Sequence, residues 1–345
     1  MSWADASRSL IDLIFDGTTA ALKNAGVEMA QVDSVVLGAH DLVDGLSLSS
    51  MVTSPAAGAY LRDEIRLSED GLVAASLAAA RVASGESKLS VVAAWGRASE
   101  GDFLNTSRAA MDPFLLQPLG VTELDVSALR LCAWAQNFPR KEQQRKTAAA
   151  ERHSRARRNR RAIHQTTAAL PLNYPLMPEE GPVWTDIVVA LLIGTAESPI
   201  RVAGVGHSTD LPMLGDRDLL ARPALKEATA RALQDADTKQ DKIDVVEIDG
   251  ITLVDEVLGL ESLGFFEAGK GFESFVDAKH INASGGGAAG WCYPAMGLAR
   301  LAECYFQLKG QAGDIQIPGS LKRALAIGSS PVGAQTNTAM ILEAQ

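Results

Sequence analysis

The chain has 345 residues, 47% of them hydrophobic, which is enough to fill two domains or one large two-lobed core. Its formal net charge of -10 and isoelectric point near 5.1 argue against nucleic acid or an anionic membrane as a partner, because both repel an acidic surface. No apolar run approaches the roughly 20 residues of a membrane span, and the first residues lack the basic and apolar regions of a signal peptide, so the cytoplasm is the expected location.

Two parts of the chain repeat the plan of a helix followed by a buried strand. A helix predicted over 10–25 precedes the strand-like segment 31–41, and a helix over 224–236 precedes the similar segment 242–250. We therefore predict a duplicated unit, with mostly parallel sheets covered by helices on both faces. At a constant offset of 211, the matching residues are Ala21, Leu22, Ala25, Asp33 and Val35 with Ala232, Leu233, Ala236, Asp244 and Val246. A second match in the same order joins 72–84 and 89–96 to 298–308 and 324–330.

The two copies differ at their start. A strand is predicted over 199–210, ahead of the second copy, whereas the first copy begins almost directly at its helix. We expect a central strand of the first sheet to be missing. Either the start of the chain is rearranged or another chain covers the gap.

Six arginines crowd into ten residues of a region, roughly 104–197, that interrupts the repeat. They are Arg152, Arg155, Arg157, Arg158, Arg160 and Arg161. One interpretation is a solvated helix face that pairs with acidic surface. The other is a docking site for an anionic cofactor or an acidic partner, with Arg157 and Arg158 holding phosphate groups, because arginine is a preferred donor to phosphate.

Three consecutive glycines, Gly285, Gly286 and Gly287, lie between a polar turn and a helix with a buried stripe. Such a turn brings the main chain close to a neighbour. The neighbour is either a phosphate, held at the start of the helix, or simply a tightly packed element of the protein.

The cysteines and histidines indicate neither a disulfide framework nor a metal site. Cys132, Cys292 and Cys304 lack the even number and the spacing of either, and we expect them to be small buried hydrophobic residues. No pair of the five histidines has ligand spacing on a predicted helix. His40 and His280 lie at strand ends, where they could approach a shared cleft, but we expect them to be solvated or hydrogen-bonded loop residues.

The duplicated plan and several segments resemble the thiolase superfamily, in its bacterial and archaeal branch related to sterol-carrier-protein thiolases. The segments are TDIVVALLIGT, DVVEIDGIT, ESLGFFEAGKGFE, INASGGG, GLARLAE and ALAIGSSPVGAQTNTAMILE. The resemblance implies an α/β fold: a duplicated, layered αβαβα sandwich with an inserted loop region. The halves would be 1–103 with part of 104–197, and 198–345. It also implies a coenzyme A thioester as substrate and a dimer as the minimum unit.

The resemblance fails at the family's catalytic positions. Ser68 stands where the family has its nucleophilic cysteine, and Trp291, Cys292 and Tyr293 fall where it has a Gly-His-Pro motif. The C-terminal cysteine position falls at Val332 and Gly333, and the asparagine or histidine of the second half falls in 249–252. None of these positions offers a thiolate with a base beside it or an imidazole, so ordinary thiolysis is not expected.

Two hypotheses follow for function, and a third is weaker. The first is a catalytically degenerate thiolase-like subunit that pairs with an active thiolase-like subunit in an acyl-CoA-processing complex, together with a small zinc-ribbon/OB-fold protein. The second is a cysteine-independent aldolase or acyltransferase that uses Tyr293 and Ser68, since thiolase-like steroid side-chain aldolases have a tyrosine in this loop. The third is an acyl-CoA or lipid carrier in which Arg157 and Arg158 hold the phosphates.

Overall fold

The computed structural model describes residues 2–3, 8–45, 50–163 and 170–345. The helices are α1 Leu10–Ala25, α2 Ser50–Ala56, α3 Gly71–Ala83, α4 Phe103–Ala110, α5 Glu123–Asn137, α6 Glu142–Arg158, α7 Pro223–Asp235, α8 Leu253–Leu263, α9 Gly271–Asp277 and α10 Met296–Leu308. The strands are β1 Ser2–Trp3, β2 Ser34–Gly38, β3 Asp63–Leu67, β4 Leu89–Gly96, β5 Ile187–Gly194, β6 Ile200–Thr209, β7 Val245–Ile248, β8 Arg323–Ser330 and β9 Thr336–Ala344. Across these ranges, no helix is long and apolar enough to cross a membrane.

The strands form two sheets with matching order. The first has the order β1-β5-β4-β2-β3 and the second β6-β9-β8-β7. Strand β5 is antiparallel to both of its neighbours, and so is β9. The sheets are therefore mixed, and the prediction of mostly parallel sheets overlooked these two strands. Both are apolar on their two faces, so their sequences read like those of parallel strands.

The predicted duplication is confirmed in detail by one pair of aspartates. Asp33 accepts hydrogen bonds from the first two backbone nitrogen atoms leading into β4, at 2.8 and 3.1 Å. Asp244, 211 residues later, does the same at the start of β8, at 2.7 and 2.9 Å. The match in sequence thus reflects the same turn chemistry in both halves.

The layers follow from which helices pack on which sheet. Helix α1 covers the outer face of the first sheet and α7 that of the second, while α3 and α10 pack between the sheets and against each other. The order α1, first sheet, α3 with α10, second sheet, α7 is the expected αβαβα sandwich. Helices α4, α5 and α6 belong to the inserted region between β4 and β5, which the structure describes except for 164–169.

The expectation that the first sheet lacks a central strand was wrong. The first strand of each half lies at an edge of its sheet, where it pairs with the antiparallel strand β5 or β9. In the first half this strand is β1, whose described residues pair Ser2 with Val188 and Trp3 with Ile187. A two-residue strand has too few side chains to produce a readable alternation, which is why the sequence concealed it.

Candidate functional site

The N-termini of the two central helices meet at one buried carboxylate. Asp70 precedes α3 and accepts hydrogen bonds from the backbone nitrogen of Leu72 at 2.9 Å and, across the helix pair, from that of Gly297 at 2.8 Å. Residue 297 must be a glycine, since a Cβ there would lie 1.8 Å from Oδ1 of Asp70. Burial, reinforced by the negative charge of Asp249, raises the pKa of Asp70 well above its ordinary value. An acid that binds protons unusually tightly therefore lies at the centre of the molecule.

A cavity of about 50 Å³ adjoins this junction. One of its lining residues, Ser330, accepts a hydrogen bond from the backbone nitrogen of Asp70. Ser329, Pro331 and Ala334 line it while remaining half-buried, so it opens toward the connection between β8 and β9. The other lining residues are Phe103, Glu123, Arg130, Arg222, Asp249, Gly250, Ile251, Asp255, Trp291 and Tyr293.

Tyr293 lines the cavity, whereas Ser68 is not among its described lining residues. The Tyr293 hydroxyl donates a hydrogen bond to the carbonyl oxygen of Ser68 at 2.8 Å, whereas the Ser68 residue is exposed. Burial, followed by the charges of Glu69 and Asp70, raises the pKa of Tyr293 well above its ordinary value. Tyr293 is therefore a neutral hydrogen-bond donor, and Ser68 has no buried base beside its hydroxyl among the contacts described.

His40 lies beside this tyrosine, a contact that the sequence did not specify. The two ring centroids are 6.2 Å apart. His40 is half-buried, its Nδ1 has no hydrogen-bond partner in the described part of the chain, and burial lowers its pKa. The available signal was its position directly after the first buried strand, because strand ends point toward functional loops.

Asp249 is a cavity acid whose pKa is raised toward neutrality. It accepts a hydrogen bond at 3.1 Å from the indole nitrogen of Trp291, whose ring packs against Phe103 and Trp184. Burial raises the pKa of Asp249 to about 6, against the opposing influence of Arg300. Trp291 itself is buried and lines the cavity. The acid it contacts can still exchange a proton near pH 6.

A second set of charges on the cavity wall was missed by the sequence reasoning. Arg130 binds Asp255 at 2.6 Å and the carbonyl oxygen of Gly333, and Glu123 accepts from the Gly333 nitrogen at 2.9 Å. Although burial opposes it, Arg130 holds the pKa of Asp255 below its ordinary value, while burial raises that of Glu123. These residues come from α5 and α8, and single charges in helices carry no signal that they will meet.

The glycine turn does not have the geometry of the phosphate cradle proposed for it. Gly285, Gly286 and Gly287 are buried, and the Gly287 nitrogen donates to the carboxylate of Glu256 at 2.9 Å. A Cβ at 286 would lie 2.4 Å from the same carboxylate, and one at 285 would lie 2.5 Å from the backbone of Ala156. The glycines therefore permit close approach of the protein's own α6 and α8.

The arginine run divides into buried and exposed members, so the interpretation as a uniformly solvated face was wrong. Arg152 is fully buried and binds Glu256 at 2.5 Å, and Arg155 donates to the carbonyl oxygens of Ile281 and Phe275. Both hold the segment around the glycine turn. Arg157 and Arg158 are exposed at the end of α6, make no hydrogen bond to any described residue, and do not line the cavity.

No cysteine lines the cavity. Cys292 and Cys304 are buried, as expected, and burial raises the pKa of both thiols well above the ordinary value. Cys132 is exposed, so the expectation was wrong for this residue. In the ranges that the structure covers, no group of three or more histidine, cysteine, aspartate or glutamate side chains has the arrangement of a metal site. The chemistry available in the cavity is thus that of carboxyl, guanidinium, hydroxyl and phenol groups.

Comparison with known sequences points to one superfamily. Residues 206–344 match the model of the family described as Thiolase C-terminal domain-like. The chain is 26% identical to an acetyl-CoA acetyltransferase of Methanothermobacter thermautotrophicus, over 90% of this chain and 89% of that protein. It is 34% identical to human sterol carrier protein 2 over 155 residues, which span 40% of this chain and 28% of that protein.

Two solved structures share the fold over nearly the whole chain. An Ltp2-ChsH2(DUF35) aldolase superposes with a TM-score of 0.78 at 18% identity, covering 99% of this chain and 94% of that one. The Bacillus anthracis acetyl-CoA acetyltransferase superposes with a TM-score of 0.70 at 14% identity and the same coverage. At these identities the likeness concerns the fold alone.

Proposed function

Since the chain belongs to the thiolase superfamily, in the branch similar to sterol carrier protein 2, we propose that it is a subunit that does not perform cysteine-dependent thiolysis. One observation carries this proposal: among the described residues that line the central cavity there is neither a cysteine nor a histidine. Thiolysis needs an acylatable thiolate and a base within hydrogen-bond reach of the reacting atoms. Ser68, at the family's nucleophile position, is exposed and is not among the described residues that line the cavity.

The proposed role is that of a partner for an active thiolase-like subunit in an acyl-CoA-processing complex that makes or cleaves carbon-carbon bonds. Strand β3 forms the outer edge of the first sheet, through which thiolases pair. Exposed apolar residues lie close to it in the chain, with Leu61 87%, Met51 73% and Tyr60 72% exposed. Such a surface is unfavourable in water and supports pairing. A small zinc-ribbon/OB-fold protein would complete the complex.

Coenzyme A would be bound partly by Arg157 and Arg158. Both guanidinium groups are exposed and have no hydrogen-bond partner in the described part of the chain, so they are available to phosphate. Reversal of both charges should weaken binding of an acyl-CoA, and wild-type binding should weaken with salt because exposed charges are screened. Salt-insensitive binding would contradict this assignment.

The test of the main proposal combines assembly with activity. Native mass spectrometry of the chain, expressed with and without the proteins encoded beside it, should reveal a heteromer containing a cysteine-bearing thiolase homologue. The purified single chain should not thiolyse acetoacetyl-CoA. Thiolysis by the single chain that disappears in Ser68→Ala would overturn the proposal.

A second candidate function is a cysteine-independent aldolase, favoured by the pKa of Asp249 at about 6 in the same cavity as Tyr293. In cleavage of a β-hydroxyacyl thioester, the Asp249 carboxylate would take the hydroxyl proton. The bond between Cα and Cβ would break to leave a carbonyl product and a thioester enolate. The enolate would take a proton at Cα from the neutral Tyr293 hydroxyl, which the Asp249 carboxyl would then restore.

This candidate predicts which substitutions remove activity. Asp249→Asn and Tyr293→Phe should each abolish cleavage of a β-hydroxyacyl-CoA while the chain stays folded and assembled. Ser68→Ala is the matched control and should leave the rate unchanged. Full activity in Tyr293→Phe would exclude the tyrosine as the acid.

A further inference from the structure

Arg222 differs from every other buried arginine in the described part of the chain. Eight arginines are buried there, and seven of them have a carboxylate within 4 Å. Arg222 is only 6% exposed and has no such partner among the described residues. A buried cation without a counter-ion is costly, so it needs a reason beyond packing.

The guanidinium of Arg222 is only partly engaged by the protein, and the residue lines the cavity. Nη1 is held against α8, where it donates to the carbonyl oxygen of Asp255 at 3.1 Å and lies close to Gly259. Nε and Nη2 make no hydrogen bond to any described residue, and Arg222 lines the 50 Å³ cavity. Nε and Nη2 form the side of the guanidinium that binds a carboxylate through two parallel hydrogen bonds.

A second arginine on the same wall also has a spare donor. Nε of Arg130 is buried and has no partner, although its Nη1 and Nη2 bind Asp255 and Gly333. Both arginines also line a smaller adjoining cavity of about 10 Å³. Two arginines on one cavity wall, each with a donor that no described residue accepts from, favour an acceptor-rich ligand.

The charges around Arg222 leave it short of a partner. Asp255 is already engaged by Arg130, Ser127 and Thr252. Glu123 and Asp249 line the cavity without pairing to Arg222, and burial raises the pKa of both. The adjoining cavity adds Asp210, Arg217 and Asp218, and the two aspartates accept from neighbouring backbone nitrogen atoms. Burial and the charge of Arg130 lower the pKa of Arg222 to about 9, so it still carries its charge at pH 7.

We propose that Arg222 binds a carboxylate on the acyl group of the substrate, so that the chain selects acyl-CoA thioesters whose acyl chain ends in a second carboxylate. This rests on the proposed function for its coenzyme A part and deepens it by naming the substrate class. A cavity of this size holds a group of a few atoms, which suits a carboxylate. A neutral alkyl terminus would leave Nε and Nη2 of Arg222 without an acceptor.

The experiment compares glutaryl-CoA with valeryl-CoA, which has the same number of acyl carbons and no terminal charge, by isothermal titration calorimetry on the full chain. We expect about ten-fold or more tighter binding of glutaryl-CoA, from hydrogen bonds between charged groups. Arg222→Met should remove this preference and leave valeryl-CoA binding within about two-fold. Arg222→Lys keeps the positive charge without the two parallel donors of the guanidinium, and it should retain part of the preference. This variant also shows whether a loss in Arg222→Met comes from the binding site or from a folding defect.

Arg231→Met is the matched control, because Arg231 is exposed on α7 and pairs with Glu227 on the same helix. It should leave the preference intact. Equal binding of both thioesters by the wild type, or a preference that survives both Arg222 variants, would overturn the inference. If neither thioester binds, the coenzyme A part of the proposed function fails; free glutarate then tests the site itself. Arg222-dependent stabilisation by glutarate would support the inference, and its absence would overturn it.

Discussion

Replacing Asp249 by asparagine should stabilise the protein above neutral pH. The pKa of this buried carboxyl rises from 3.8 to about 6, mainly through burial. A difference of one pKa unit corresponds to about 1.4 kcal/mol, so the ionised carboxylate lowers the free energy of unfolding by roughly 3 kcal/mol. Asparagine keeps an oxygen that can accept the hydrogen bond from Trp291 and has no charge to desolvate.

The pH dependence has a definite sign. Because the folded state binds the Asp249 proton more tightly than the unfolded state, the wild type loses stability as the pH rises from about 4 to about 6. The loss is complete above about pH 7. The difference in the free energy of unfolding between Asp249→Asn and wild type should therefore be near zero at pH 4 and about 3 kcal/mol at pH 8.

Urea unfolding at a series of pH values measures this difference. Asp241→Asn serves as the control, because Asp241 is largely exposed and its substitution should change stability little at any pH. A stability difference for Asp249→Asn that is independent of pH, or one that grows as the pH falls, would refute the assignment of a raised pKa to this residue.

Three further predictions concern the surroundings of the site. Arg152→Met should lower the free energy of unfolding by about 3–5 kcal/mol, because Glu256 would remain buried without its cation. Arg157→Met, at the exposed end of the same helix, should change it by less than about 0.5 kcal/mol. If urea unfolding shows similar costs for both variants, the division of the six arginines into buried and exposed members is contradicted. Iodoacetamide should modify the exposed Cys132 rapidly and the two buried cysteines only on unfolding, and labelling of Cys132 should not reduce acyl-CoA binding. Mass spectrometry of the labelled peptides checks the order of modification. Loss of binding together with fast labelling would argue for a functional thiol. Tyr293→Phe should cost roughly 1 kcal/mol of stability by leaving the Ser68 carbonyl without its donor, and an unchanged melting temperature would mean that this hydrogen bond is replaced by water.

The sequence predicted the architecture well because the fold depends on patterns that are local. Each helix and strand of the duplicated unit carries its own apolar periodicity, and a turn aspartate repeats at the same place in both halves. The features of the fold that the sequence did not reveal also have physical explanations. Strand β1 is too short to produce a pattern, and the antiparallel direction of β5 and β9 is set by pairing partners far away in the chain.

The candidate site could be predicted only in part. Resemblance placed Asp249 and Tyr293 in one region, and both line the cavity. It gave no indication of Arg222 or Glu123, since their role depends on which distant residues they meet or fail to meet. The same limit explains the arginine run and the glycine turn. Both suggested a phosphate site in sequence, whereas the buried Arg152 at the start of the run and the Gly287 nitrogen of the turn both bind Glu256 inside the protein.

The buried arginines in the described part of the chain are of two kinds: those that pair with an opposite charge in the protein, and one, Arg222, that does not. Arg152 with Glu256, and Arg300 with Glu247, are buried ion pairs that fasten the glycine turn to α6, β7 and α8, and their effect is structural. Arg222 belongs to the other kind. Its buried charge has no counter-ion in the described chain, and an apolar residue of similar size would be less costly if the position served packing alone. If Arg222 served only the fold, replacing it with an apolar residue would make the protein more stable. The presence of Arg222 therefore argues that the cavity binds a charged ligand.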